Sequence, residues 1–136
     1  MITAVDTSVL LDVFGADSQF GPKSRDTVRR CLAEGVVVAC EVVWAEVSAA
    51  FPDERSASGA LELLGVRFDP MGSGEAAAAG RAWHEYRQRG GGRDRVVADF
   101  LIAAHAAGRA DRLLTRDRGF YRRYFGSLAI LDPRPA

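Results

Sequence analysis

Four carboxylates stand where an acid is conspicuous or costly. Asp6 directly follows the short apolar run ITAV (2–5), and Asp117 follows RLLT (112–115) by two residues in LLTRDRGF. Asp99 interrupts VVADFLIAAHAA (96–107), and Glu46 interrupts VVWAEVSAA (42–50). An ionised carboxylate in apolar surroundings is expensive unless something compensates it. Four acids brought together repel, and their pKa values rise unless a cation is present. Oxygen-rich sites of this kind suit Mg²⁺ or Mn²⁺. No histidine cluster, cysteine pair or HExxH motif offers zinc chemistry instead. Hydroxyl residues accompany two of the acids: Thr7 and Ser8 beside Asp6, and Thr115 before Asp117.

Taken singly, each acid also has a plainer reading. Asp6 and Asp117 suit caps or turns after strands. Asp99 suits the cap of a helix that begins late, or a solvated face. Glu46 suits an ordinary surface position. Glu41 lies five residues before Glu46, about 140° round a helix, so the two do not face one site. Glu41 is satisfied by the helix start, which leaves Glu46 to point inward.

The elements that must position these acids are short and alternate. ITAV (2–5), VVVA (36–39), GVRF (65–68), RLLT (112–115) and LAIL (128–131) read as strands buried on both faces. Helices are expected over Pro22–Glu34, Glu41–Phe51, a segment capped by Asp53, Glu75–Arg89, a segment capped by Asp94 and ending near Gly108, and Arg118–Tyr124. Strands alternating with helices imply a parallel sheet sandwiched between helices, in a single domain spanning residues 1–136. In such sheets ligands bind beyond the carboxyl ends of the strands, which is where Asp6 and Asp117 fall.

Composition narrows the class of protein. Hydrophobic residues make up 48% and charged residues 26%, as in a soluble globular domain. Cys31 and Cys40 alone form no disulfide framework. No apolar run approaches the roughly 18 residues of a membrane span. The N-terminus MITAVDTSVLL shows no secretory pattern, so a reducing, cytoplasmic setting is expected. Residues 1–68 carry 6 Lys/Arg against 10 Asp/Glu, and residues 69–136 carry 12 against 8. Of 18 basic residues only Lys23 is lysine. Arginine binds phosphate as a planar fork, although a G+C-rich genome also explains an arginine excess.

Arg87, Arg89, Arg93 and Arg95 precede the third acid, and Arg116, Arg118, Arg122 and Arg123 surround the fourth. They suit a phosphate-binding rim, with Arg93, Arg95, Arg116 and Arg118 as the foremost nucleic-acid-binding candidates. Phe120, Tyr121 and Tyr124 lie among them and could stack bases, although core packing is the better reading of Phe120 and Phe125. His105 sits about 240° from Asp99 and suits packing or surface. Trp44, Trp83 and His84 have no evident chemical partner.

AVDTSVLLDV, VVWAEV, ADFLIAAHA and LLTRDRGF resemble, in order and spacing, the four acidic motifs of PIN-domain ribonucleases, and most of all the VapC toxins of bacterial toxin–antitoxin pairs. The resemblance runs from Ile2 to about Leu131. It implies a three-layer α/β/α domain with four to five parallel strands. The family's acids fall on Asp6, Glu46, Asp99 and Asp117, with Ser8 and Thr115 as supporting hydroxyls. GGGRDR (90–95) is longer and more basic than a minimal version, and Asp94 is an extra acid, read as a cap.

The activity implied is Mg²⁺- or Mn²⁺-dependent endoribonuclease cleavage. Asp6 and Asp99 would hold the ion, and Asp117 and Glu46 would complete the site. In-line attack would leave a 5′-phosphate and a 3′-hydroxyl. The resemblance further implies a homodimer and an antitoxin partner, with DNA contacted only through that partner. Two alternatives stay open: a catalytically weak RNA-binding or regulatory module, and a haloacid-dehalogenase-type phosphatase. The phosphatase needs a second acid where Ser8 stands and a catalytic lysine, whereas Lys23 lies far from the required region.

Overall fold

β1 (Ile2–Val5) leads with no intervening loop into α1 (Thr7–Phe14), because Asp6 ends the strand and caps the helix in one step. α2 (Gly21–Glu34), β2 (Val36–Ala39), α3 (Glu41–Ser48), α4 (Glu54–Leu64) and β3 (Val66–Phe68) follow. α5 (Ser73–Gln88), α6 (Val97–Arg109), β4 (Arg112–Leu114), α7 (Arg118–Tyr124) and β5 (Ile130–Leu131) complete the chain. This computed structural model describes residues 1–92 and 97–134.

The five strands form one all-parallel sheet in the order β3-β2-β1-β4-β5, flanked by helices as an α/β/α domain. Val5 stands opposite Leu114, and Ala4 opposite both Val38 and Leu113. The chain moves outward from β1 through β2 to β3, then returns to β1's other side as β4. This order reversal opens a crevice at the carboxyl ends of β1 and β4, the usual ligand position in such sheets. Among the described residues, no helix is long and apolar enough to cross a membrane.

Burial explains why the strands read as continuous apolar runs. Ala4, Val5, Val37, Val38, Leu113 and Leu114 are all buried, with helices on both faces. Gly35 is required at the entry to β2. A Cβ there would stand 1.9 Å from the Met1 carbonyl oxygen, in the space that lets Val36 donate to that oxygen at 3.0 Å. Gly65 closes α4 in the left-handed conformation, with φ 96°, which costs glycine little. A second cluster lies between α5 and α6, where Ala79, Tyr86, Phe100 and Ala104 are buried and Phe120 and Tyr124 of α7 pack against them.

The expected elements differ from the observed ones mainly at their ends. α3 stops at Ser48 rather than Phe51, because the chain tightens into turns there: the Ala50 and Phe51 amides bond three residues back, to Val47 and Ser48. LAIL contributes only Ile130 and Leu131 to the sheet. The sequence reading ends β1 at Asp6 but names no helix over 7–14, because no loop intervenes to mark where α1 begins. The proposed cap Asp94 lies outside the described residues.

Candidate active site

Asp6 is buried beyond the end of β1 and held on both carboxylate oxygens. Its Oδ1 accepts from the Thr7 amide at 2.8 Å. Its Oδ2 accepts from Thr115 Oγ1 at 2.7 Å and, at a long 3.4 Å, from the Tyr121 hydroxyl. Burial pushes the Asp6 carboxyl above the ordinary aspartate range. These hydrogen bonds pull it down, and the negative charge of Asp99 pushes it further up.

Thr115 follows β4 directly and is fully buried. The same oxygen that donates to Asp6 accepts from the Asp117 amide at 3.0 Å. One hydroxyl thus ties the acid after β1 to the backbone of the acid after β4. Thr7 makes a similar bridge: its Oγ1 donates to Glu46 Oε1 at 2.7 Å, fixing the exposed Glu46 of α3 against the start of α1.

Asp6, Glu46, Asp99 and Asp117 line one cavity of about 480 Å³, together with Thr7, Ser8, Leu11, Ile102 and Arg116. Each acid comes from a different stretch of chain, and the crevice between β1 and β4 is where they gather. Tyr121 reports their joint field. Burial raises its phenol pKa, and the charges of Asp6, Asp99 and Asp117 all add to that rise. Tyr121 is buried, so it does not serve as a base-stacking surface, and its hydroxyl faces Asp6 across 115 residues of sequence.

The cavity's candidate ligands are oxygen donors, which suit a hard divalent cation, and among the described residues no thiol or imidazole lines it. A buried carboxylate with a raised pKa is also the group a cation would relieve. The four acids surround the cavity without closing to bonding distance: among the described residues, no three Asp, Glu, His or Cys side chains stand at metal-holding spacing. Glu41 is not a lining residue. Its carboxylate accepts from the Met71 amide at 3.1 Å.

The basic rim differs from expectation. Arg116 lines the cavity, but its fork is bidentate to Asp12: Nε donates to Oδ2 at 2.8 Å and Nη2 to Oδ1 at 3.1 Å. It is therefore no free phosphate-seeking cation. Arg118 is exposed and 3.7 Å from Asp132, while Arg122 and Arg123 are exposed on α7. Arg89 pairs with Glu85 at 2.6 Å, and Arg87 lies over the Trp83 ring at 5.4 Å. Arg93 and Arg95 lie outside the described residues.

Phe120 and Tyr124 pack edge-on against Phe100, as core packing requires. Trp44 meets Phe68 edge-on. His105 is buried, with Nε2 2.9 Å from Asp69 Oδ2, a packed position with its own partner.

The chain belongs to the PIN domain family, whose model matches residues 3–126. Solved structures share the fold at low identity. A VapBC2 complex from Rickettsia felis bound to a promoter DNA fragment is 18% identical, with TM-score 0.74, over 97% of this chain and 98% of that one. DNA-bound VapBC from Salmonella typhimurium is 15% identical, with TM-score 0.74, over 98% and 99%. Mycobacterium tuberculosis VapC20, described as a toxin cleaving the sarcin-ricin loop, is 20% identical, with TM-score 0.55, over 82% and 86%. No curated protein matches the chain in sequence.

Proposed function

We propose that this chain is a Mg²⁺- or Mn²⁺-dependent endoribonuclease and acts as the VapC-type toxin of a toxin–antitoxin pair. The observation that carries this reading is the shared cavity: four carboxylates from four stretches of chain at the switch point of a parallel sheet. The VapBC complexes among its structural neighbours, and the RNA-cleaving VapC20, support the same assignment. They also support an antitoxin partner. The same reading makes the toxin a cytoplasmic homodimer that contacts DNA only through the antitoxin.

Asp6, Asp99 and Asp117 would hold the cation, with Glu46 completing the acidic ring. When bound, the ion supplies positive charge where negative charge develops on the phosphodiester. The chain's own contribution is orientation. Thr115 and the Thr7 amide leave Asp6 little rotational freedom, so its carboxylate is set before RNA arrives. Thr7 holds Glu46 toward the cavity mouth, where it can orient a water molecule or accept its proton. Ser8 offers a hydroxyl at the cavity wall. Arg118, Arg122 and Arg123, exposed on α7, supply a basic surface that would hold the phosphate backbone.

Expression in a bacterial host tests the assignment. Wild-type chain is expected to arrest growth and generate new RNA 5′-phosphate ends at discrete positions. Asp99→Asn is expected to do neither. Equal arrest and equal cleavage by Asp99→Asn would overturn it.

A further inference from the structure

Arg116 is the one basic residue among the described residues lining the acidic cavity. A guanidinium there has strong reason to fold onto the carboxylates around it. Its Nε and Nη2 instead go to Asp12, on the helix face beside the cavity. Asp12 lies one turn beyond Ser8 on α1 and is buried. It also accepts from Ser24 Oγ of α2 at 2.9 Å, so its carboxylate is fixed from a third direction.

Two further contacts hold the arginine in this pose. Its guanidinium carbon lies 4.1 Å from the centroid of the Phe20 ring, a cation–π distance. Its carbonyl oxygen accepts from Arg134 Nη2 at 2.6 Å. A bidentate, largely buried arginine–carboxylate pair is among the stronger polar contacts a protein makes, and it costs most when one partner is removed.

We infer that Asp12 is a positioning residue that holds the Arg116 guanidinium on the α1–α2 side of the cavity, away from the carboxylates that take the cation. This rests on the divalent-cation reading proposed above. Without Asp12, the same flexible side chain carries a mobile positive charge at the edge of the acidic cavity. It then competes with a divalent ion for Asp117 and Asp6. Asp12 thereby keeps the site selective for an exchangeable cation over the chain's own arginine.

Calorimetric titration of Mn²⁺ onto the chain without RNA tests the inference, using wild type, Asp12→Asn, Arg116→Gln and the double variant. Asp12→Asn keeps the volume and the Ser24 contact, and circular dichroism reports whether each variant is folded. Wild type is expected to bind Mn²⁺, and Asp12→Asn to bind at least about tenfold more weakly, because a freed unit charge at the cavity edge repels a divalent ion. The double variant is expected to recover wild-type affinity, and Arg116→Gln alone to bind at least as tightly as wild type. Asp12→Asn binding like wild type would overturn the inference and leave the cation reading intact. So would a double variant as weak as Asp12→Asn, or an equal loss in Arg116→Gln, since either shows that Asp12 acts through structure and not through the freed charge. Wild type that takes up no Mn²⁺ overturns the cation reading and this inference with it.

Discussion

The Thr115 hydroxyl donates to Asp6 Oδ2 at 2.7 Å, with both residues buried at the seam between β1 and β4. Because Thr115 Oγ1 also accepts from the Asp117 amide at 3.0 Å, it joins the two strand-end acids of the site. Thr115→Val keeps the shape and removes both contacts. It is expected to cost about 1–3 kcal/mol of stability, since a buried acceptor loses its donor. It is also expected to slow RNA cleavage at least tenfold. Thr115→Ser should restore most of both, as read by denaturant unfolding and a cleavage time course.

Tyr121 also donates to Asp6 Oδ2, but at 3.4 Å the bond is weak. Tyr121→Phe keeps the ring in its packed position. A several-fold loss of cleavage is expected, smaller than for Thr115→Val, with stability changed by less than about 1 kcal/mol. A loss equal to that of Thr115→Val would assign the hydroxyl a larger role than its distance supports.

Phe100 is fully buried and meets Tyr86, Phe120 and Tyr124 at ring separations of 5.5, 5.2 and 5.9 Å. It follows Asp99 directly, so its packing anchors the stretch of α6 that carries that acid. Phe100→Ala is expected to destabilise the domain by about 3–5 kcal/mol, the usual cost of emptying a large aromatic site. Chemical denaturation at constant m-value checks it.

Asp69, after β3, joins α6 through His105 and a bidentate contact with Arg109. The Arg109 hydrogen bond holds the Asp69 carboxyl below the usual aspartate value of 3.8. A carboxylate with a lowered folded pKa contributes stability that is fully present above its unfolded value. That contribution is lost as pH falls through the folded value. Asp69→Asn is therefore expected to lower the melting temperature at pH 7. The gap from wild type should narrow as the pH drops below 3.8. A gap that stays constant into acid would mean the carboxylate charge contributes nothing there.

Much of this site was legible because its acids break strong local patterns. Asp6 and Asp117 end apolar strand runs, and Asp99 and Glu46 interrupt apolar helical runs. Hydrophobic period and a following polar residue are local signals, so they survive in sequence. What escaped reading is non-local. Arg116 looks like rim charge until Asp12, 104 residues earlier, is seen to hold it. Tyr121 looks like a stacking aromatic until its burial against Asp6 is seen. α1 went unread because Asp6 serves as strand end and helix cap at once, leaving no turn residues to announce the change.

The central claim is that Asp6 belongs to a cation-dependent RNA-cleaving site. The most direct test is cleavage of a short end-labelled RNA by purified protein, after EDTA treatment and again with Mg²⁺ or Mn²⁺ restored, for wild type and Asp6→Asn. Wild type is expected to cut only with the ion restored and to leave 5′-phosphate ends. Asp6→Asn should be slower by about a hundredfold or more while remaining folded, the scale of losing one electrostatic catalytic group. Wild-type cleavage undiminished by EDTA, or Asp6→Asn cutting at the wild-type rate, would contradict the account.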